Sequence, residues 1–362
     1  MTPPVRGMLR FCSSALVPLV LLAFVLHGER NAIHLQAARH VKQGVAPAIP
    51  LEMPDGVRLP VLKPKPAPKV QPQPKPLPPL PHIAWPAIPR EELAKVSSAS
   101  VFSGLGAWVD VYDYPVLPLA KTIRVLKKVG VKTLFMETGM TGTRQSVVPE
   151  SIPWLVAAHN AGLKVVAWYL PYYVNVPLDV ARTVAIARVD RNGIRFDGIG
   201  IDIEFKGAMT NNRIWNRNVV AHMDGVRRAL GPNYPLAAIP PPPLQMRLAP
   251  STWEGFPWAP LGQVSSDIML MSYWSFRTGC PQIPLSCAYQ FTKDNVEITR
   301  SLTGNRVPIH VIGGVADSIN TRQLNQFVQG AIDAHADGAS IYDIGTTRPS
   351  WWGPLSRLRA LS

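Results

Sequence analysis

The chain has 362 residues, 47% of them apolar, which excludes global disorder and leaves room for one domain of about 250 residues with extensions. Its net charge is +14, yet twelve basic and five acidic residues fall before residue 98, so half of the excess lies outside the part that reads as folded. No zinc-ligand spacing, helix-turn-helix or RNA-binding signature accompanies that charge, so nucleic acid is not an expected partner, and three cysteines cannot build a disulfide framework.

Arg6 and Arg10 precede an uncharged, mostly apolar run over 11–26. A basic flank before such a run reads as a signal peptide or as a short uncleaved signal anchor, and it favours a cytoplasmic N-terminus. Residues 1–27 are therefore expected to hold the chain at the cell membrane in a single pass, with the bulk of the chain outside the cytoplasm, or to direct secretion where the segment is cleaved. Residues 28–97 follow as a largely disordered spacer. Ten prolines lie between Pro60 and Pro81, interleaved with Lys63, Lys65, Lys69 and Lys75. Proline fixes φ and removes amide donors, so this stretch reads as extended and semi-rigid, rising about 3.1 Å per residue.

From residue 98 to 362 the pattern changes to short apolar or β-branched runs alternating with amphipathic stretches. The expected strands are Leu105–Val111, Lys132–Thr138, Lys164–Leu170, Gly198–Phe205, Pro235–Pro240, Asp267–Tyr273, Pro308–Gly313 and Ala339–Asp343. Helices are expected over 117–129, 151–161, 178–190, 212–230, 289–303 and 320–335, and Pro240–Pro243 reads as a rigid turn at the rim. Two segments, "KKVGVKTLFME" and "HNAGLKVVAWY", show a helix ending at glycine and then a strand, and "AHADGASIYD" repeats the pattern. Eight such strands with crossover helices imply an α/β fold, a (β/α)8 TIM barrel. The rival, a doubly wound open sheet, lacks its Gly-rich phosphate loop after the first strand.

Barrel enzymes place their chemistry at the C-terminal strand ends. On the fourth strand, side-chain alternation puts Gly198, Gly200, Asp202 and Glu204 inside and Ile199, Ile201, Ile203 and Phe205 toward the helices. Two inward acids are either a working pair or a structural pair bridged inside the barrel mouth. The segment Asp197-Gly198-Ile199-Gly200-Ile201-Asp202-Ile203-Glu204 resembles the fourth-strand motif of the chitinase-like glycoside hydrolases of family eighteen, D-G-φ-D-φ-D-φ-E with φ apolar. Gly200 stands where that motif has its second Asp. Met271-Ser272-Tyr273 matches the family's M-x-Y on strand six. The first strand, with Trp108-Val109-Asp110, is also similar to a broader group of bacterial glycoside hydrolase barrels carrying W-x-D. Two departures stand out: the third strand lacks the family's serines, and Ser340-Ile341-Tyr342-Asp343 replaces its strand-eight tryptophan.

The resemblance implies that Glu204 protonates a glycosidic oxygen, that Asp202 orients the substrate's N-acetyl group for attack on the anomeric carbon, and that Tyr273 hydrogen-bonds that group. With Gly200, Asp202 loses its acidic partner, which leaves open a slow enzyme, a different mechanism or an inactive barrel. Asp110, Glu137 and Asp343 end strands one, two and eight. A conventional pair of Glu204 with Glu137 or Asp343 is the alternative, its outcome set by carboxyl separation, about 5–5.5 Å for retention and about 6.5–9.5 Å for inversion. Trp108, Trp168, Tyr172 and Trp274 are the expected sugar-stacking residues, since sugar C–H faces pack on aromatic rings. Cys280 and Cys287 could close a short loop in an oxidising compartment. No cofactor and no metal are expected. The expected function is a membrane-tethered glycoside hydrolase acting on a cell-envelope or extracellular polysaccharide, with N-acetylhexosamine among its sugars. A catalytically inactive carbohydrate-binding or scaffold barrel is the second reading.

Overall fold

A computed structural model of the protein describes residues 100–143, 145–207, 209–276 and 287–362. The expected anchor at 1–27, the whole of the expected spacer at 28–97, and Cys280 of the expected Cys280–Cys287 pair lie outside the described residues. Among the described residues no helix is long and apolar enough to cross a membrane.

Eight parallel strands pair in chain order: β1 (Gly104–Val109), β2 (Thr133–Met140), β3 (Lys164–Leu170), β4 (Gly198–Asp202), β5 (Leu236–Ile239), β6 (Asp267–Ser272), β7 (Ile309–Gly314) and β8 (Gly338–Tyr342). Pairing of Gly104 with Gly338 and Leu105 with Ala339 closes β8 on β1, which excludes the open doubly wound sheet. The crossovers carry α1 (Leu119–Val129), α2 (Ser151–Asn160), α3 (Val176–Ala187) and α4 (Asn212–Leu230). After β5 come three short helices, α5 (Pro243–Leu248), α6 (Pro250–Trp253) and α7 (Trp258–Val264), then α8 (Cys287–Leu302), α9 (Thr321–Asp333) and α10 (Trp352–Leu355). The sequence reading has only a rigid turn where α5 to α7 lie. Each is too short to show a helical period, and proline opens two of them at N1 or N2.

Helix ends follow local chemistry. Gly130 closes α1 in the left-handed region at φ 80°, its N–H donating to the Leu126 and Lys127 carbonyls. Asn320 and Gln323 form a capping box at the start of α9. In "AHADGASIYD" it is His335, at φ 51°, that takes the left-handed turn, while Gly338 is the first residue of β8. A Cβ on Gly338 would stand 2.1 Å from the Phe102 carbonyl oxygen, so this glycine serves a close approach and not a helix end.

Strand alternation divides the apolar residues into two layers. Leu134, Met136, Val165, Ala167, Ile199 and Ile201 face outward and pack with helix residues such as Leu126, Leu155, Val219 and Phe327. The inward layer at the bottom of the barrel is partly polar. His310 is bonded to the Phe102 carbonyl oxygen through Nδ1 at 2.7 Å and to Ser340 Oγ through Nε2 at 2.7 Å, and Ser340 Oγ also accepts the Trp108 indole N–H at 2.7 Å. Burial pulls the His310 imidazole down to about 4, so it is neutral, with Nδ1–H donating and Nε2 accepting. Gly338→Ala should destabilise the fold by about 1–3 kcal/mol through overpacking at the Phe102 carbonyl and His310, measured as a fall in urea midpoint; an unchanged midpoint would refute the close approach.

Candidate active site

The site is built upward from the barrel floor. Trp108 stacks on Phe135 with centroids 4.7 Å apart and meets Trp168 edge-on at 6.0 Å. Above them, Gly200 pairs with Trp168 on β3 and with Ala237 on β5. A Cβ on Gly200 would sit 2.7 Å from Ile239 Cδ1, so the Ile239 side chain fills the space where the motif's middle acid would stand.

Glu137 lies at a register break in β2, between Glu137 and Gly139. Its Oε2 accepts the Val111 N–H at 3.2 Å, and its Oε1 is buried without a hydrogen-bond partner. Desolvation, reinforced by Asp110 and Asp113, pushes this carboxyl up to about 8, against the Val111 hydrogen bond. Asp202, the last residue of β4, is buried and also keeps an unpartnered oxygen, Oδ1. Burial, then the Glu204 and Glu137 charges, raise its pKa well above the ordinary aspartate value, while the Glu204 backbone N–H works the other way. Glu204 is half-buried as a residue, yet its carboxyl is enclosed, and desolvation carries it up to about 7. Tyr273 follows β6 and is buried beside these acids; desolvation and then Glu204, Asp202 and Asp343 raise its hydroxyl pKa well above the ordinary value.

β4 is shorter than expected. It ends at Asp202, with one more ladder-like bond from Ile203 N–H to the Ile239 carbonyl at 2.9 Å, so Glu204 stands on a loop. That loop is ordered from outside the sheet. Phe205 packs on Tyr172 at 4.6 Å, and the Phe205 carbonyl accepts the Trp215 indole N–H at 3.2 Å.

Asp110 and Asp343 serve the rim as turn caps. Asp110 Oδ1 accepts the Tyr112 and Asp113 amides at 2.9 and 3.1 Å, and its Oδ2 accepts the Tyr342 hydroxyl at 3.1 Å. Asp343 Oδ1 accepts the Thr346 amide at 3.0 Å. Asp110, Asp113 and Asp343 each bring one carboxylate oxygen within 4.8 Å of the others, a set that would suit a hard, oxygen-seeking cation better than zinc. Amide and hydroxyl donors also engage Asp110 and Asp343.

Two expected stacking residues are corrected. Trp108 faces the interior, as alternation requires, but it is only 2% exposed and both flanks of its ring are covered. Trp274 is fully buried in the outer layer, stacked on Phe327 of α9 at 5.2 Å. Tyr273 takes the inward position, so its neighbour must point outward. Trp168 remains in the interior with its indole nitrogen unpartnered, and Tyr172 remains half-buried at the rim. On β8 the inward place belongs to Tyr342, 6.2 Å from Tyr273 and from Trp108, and Asp343 follows just past the strand end, close enough to raise the hydroxyl pKa of both tyrosines.

The sequence reading missed the support behind the site. Asp179, fully buried in α3, accepts Thr141 Oγ1 at 2.7 Å and the Tyr169 hydroxyl at 3.1 Å through Oδ1, and the Tyr173 amide at 3.1 Å through Oδ2. Tyr173, held at φ 58°, directs its hydroxyl to the Asp202 carbonyl at 3.4 Å. In sequence Asp179 looks like any acid in a first helical turn.

No family model matches the chain, and no curated protein matches it in sequence. Its fold is similar to that of several solved enzymes. The spore cortex-lytic enzyme SleL of Bacillus cereus aligns with a TM-score of 0.53 at 12% identity, covering 72% of this chain and 75% of that one. A chitinase from Chromobacterium violaceum aligns with a TM-score of 0.51 at 11% identity, covering 72% and 100%. A beta-galactosidase from Marinomonas ef1 aligns with a TM-score of 0.51 at 9% identity, covering 70% and 58%. At these identities the likeness is one of fold.

Folded Glu137 holds its proton to about pH 8, whereas an ordinary glutamate releases it near 4.5. Between those values the folded state binds more protons, so stability falls as pH rises. Glu137→Gln removes that dependence. Its melting temperature should exceed that of the wild type by a margin that opens between pH 4.5 and 8 and is absent at pH 4. A margin independent of pH would show that Glu137 is ionised in the folded protein.

Proposed function

We propose that the barrel is a glycoside hydrolase in which Glu204 is the general acid. The observation that carries this reading is the Asp202–Glu204 pair enclosed at the C-terminal end of β4, where burial raises the Glu204 carboxyl to about 7 and one Asp202 oxygen is unpartnered. A carboxylic acid held near 7 is matched to protonating a leaving-group oxygen at that pH. Folds shared with a chitinase, a cortex-lytic enzyme and a beta-galactosidase support a carbohydrate substrate.

For an N-acetylhexosamine glycan the steps follow. The Glu204 O–H gives its proton to the glycosidic oxygen as the acetamido carbonyl oxygen attacks the anomeric carbon and the C–O bond breaks. Asp202 Oδ1 accepts the acetamido N–H, and the Tyr273 hydroxyl steadies the attacking oxygen. Water then attacks the anomeric carbon and returns a proton to Glu204. Such substrate assistance needs no carboxylate nucleophile. Glu137 is a poor nucleophile for the alternative pair, because it keeps its proton up to about 8. Sugar rings are read as stacking at Tyr172 and above Trp168.

We read the apolar run 11–26 and the Pro/Lys stretch as the anchor and spacer that carry the barrel to a polysaccharide outside the cytoplasm. The support is the sequence pattern alone, a basic flank, an uncharged run and then ten prolines in 60–81. Retention of the full chain in membranes after alkaline carbonate extraction is the expected result; release into the soluble fraction would favour a cleaved segment.

The second reading, a sugar-binding barrel without catalysis, is favoured by one observation: Ile239 fills the space of the middle acid, so Asp202 has no acidic partner below it. One experiment separates the two. The full chain and Glu204→Gln are incubated with N-acetylated and non-acetylated glycans, and products are read by mass spectrometry. Cleavage of N-acetylated glycans should fall about 10²–10⁴-fold in the mutant with melting unchanged, and wild-type activity should decline as pH rises through about 7. Binding without turnover in both proteins would establish the second reading.

A further inference from the structure

Glu204 lies two residues past the end of its strand, so something other than the ladder must hold it. The next charged residue, Lys206, turns away from the mouth. Its ammonium lies over the Trp215 ring at 4.7 Å and the Trp253 ring at 4.9 Å. The same nitrogen donates to Asn212 Oδ1 at 2.6 Å and to the Thr252 carbonyl. One cation thus ties three pieces of chain: the loop carrying Glu204, the first turns of α4, and the α6 segment of the β5–β6 excursion. Further bonds fix the outer two pieces to each other. Asn212 donates to the Ser251 carbonyl at 2.6 Å, and Asn216 donates to the Glu254 and Gly255 carbonyls, each at 2.9 Å. Trp215 also bonds the Phe205 carbonyl, so Phe205 and Lys206, the two residues directly after the acid, are both tied to one indole.

We propose that Lys206 is a positioning residue for Glu204, its ammonium held over the edge-to-face Trp215 and Trp253 rings so that the loop carries the carboxyl into the enclosed mouth. This rests on the reading of Glu204 as the general acid. A half-buried cation held over two indoles and by two oxygen acceptors is directional, which makes it a firmer anchor than an exposed ion pair. It also explains why the excursion over 243–264 is folded onto α4: it supplies one face of the clamp. The groups facing the Glu204 carboxyl are Asp202 from β4 and Tyr273 beyond β6, and Lys206 is turned to the opposite side.

The test uses the full chain with Lys206→Met, Lys206→Arg and Asn212→Ala. Two readouts are taken. The first is kcat and KM on a chitin oligosaccharide. The second is the titration midpoint of the Glu204 carboxyl by infrared difference spectroscopy, assigned by its disappearance in Glu204→Gln, which needs no turnover. Removing a positive charge alone would raise a carboxyl's midpoint, whereas a loosened, hydrated acid titrates lower. In Lys206→Met, kcat should fall about 10–10²-fold with KM changed by less than about threefold, the size of a small misplacement of a reacting group. The midpoint should drop from about 7 toward 4.5. Lys206→Arg should keep both near wild type, since guanidinium also stacks on indole. A midpoint unchanged or raised in Lys206→Met overturns the proposal. If that variant does not fold, Asn212→Ala, which leaves the charge in place, should lower the midpoint by a smaller amount, and no drop there overturns it equally. If the wild type cleaves nothing while the midpoint drops, the hydrolase reading fails and the positioning role stands.

Discussion

Glu137, Asp202 and Glu204 are carried by the strand ends of a closed barrel into a space that water barely reaches, and among the described residues no lysine or arginine forms an ion pair with them. A buried carboxyl without a cation escapes the desolvation penalty by keeping its proton. The mouth therefore holds acids that are neutral where ordinary ones are charged. That single condition raises the Glu204 carboxyl to about 7 and the Glu137 carboxyl to about 8. It also leaves one buried, unpartnered oxygen on each of Asp202 and Glu137.

Such a site works against stability, and the surrounding structure offsets it with order. Below, Trp108, Ser340 and His310 form a hydrogen-bond chain that ends on the Phe102 carbonyl and closes the floor. Behind β3 and β4, Asp179 gathers Thr141, Tyr169 and the Tyr173 amide, and Tyr173 reaches the Asp202 carbonyl. Beyond β4, the loop is held by Lys206 and the indoles of Trp215 and Trp253. Each device acts on backbone or on a neighbour of an acid and leaves the acids' own oxygens available.

The clearest sequence signal was periodicity. The eight expected strands differ from the observed ones by only a few residues at their ends, and α4 spans the expected 212–230. Alternation also sorted Ile199 and Ile201 from Gly200 and Asp202 correctly, because a two-residue period holds throughout a strand. It failed where strands ended. Trp274 follows inward-facing Tyr273, and it packs outward on Phe327. Glu204 was assigned to a strand that stops two residues earlier.

What the sequence by itself determined is the order of strands and crossovers, the inward direction of Asp202, and the absence of an acid at residue 200. These follow from local hydrophobic period and residue identity, which act over a few neighbours. Only the tertiary structure decided which carboxyls keep their protons, that Ile239 fills the place beside Gly200, that Asp110 and Asp343 cap turns, and that Lys206 reaches Trp253 across 47 positions of sequence. Desolvation and ring contacts depend on what closes over a group, and in a barrel the covering atoms come from strands and loops far away along the chain.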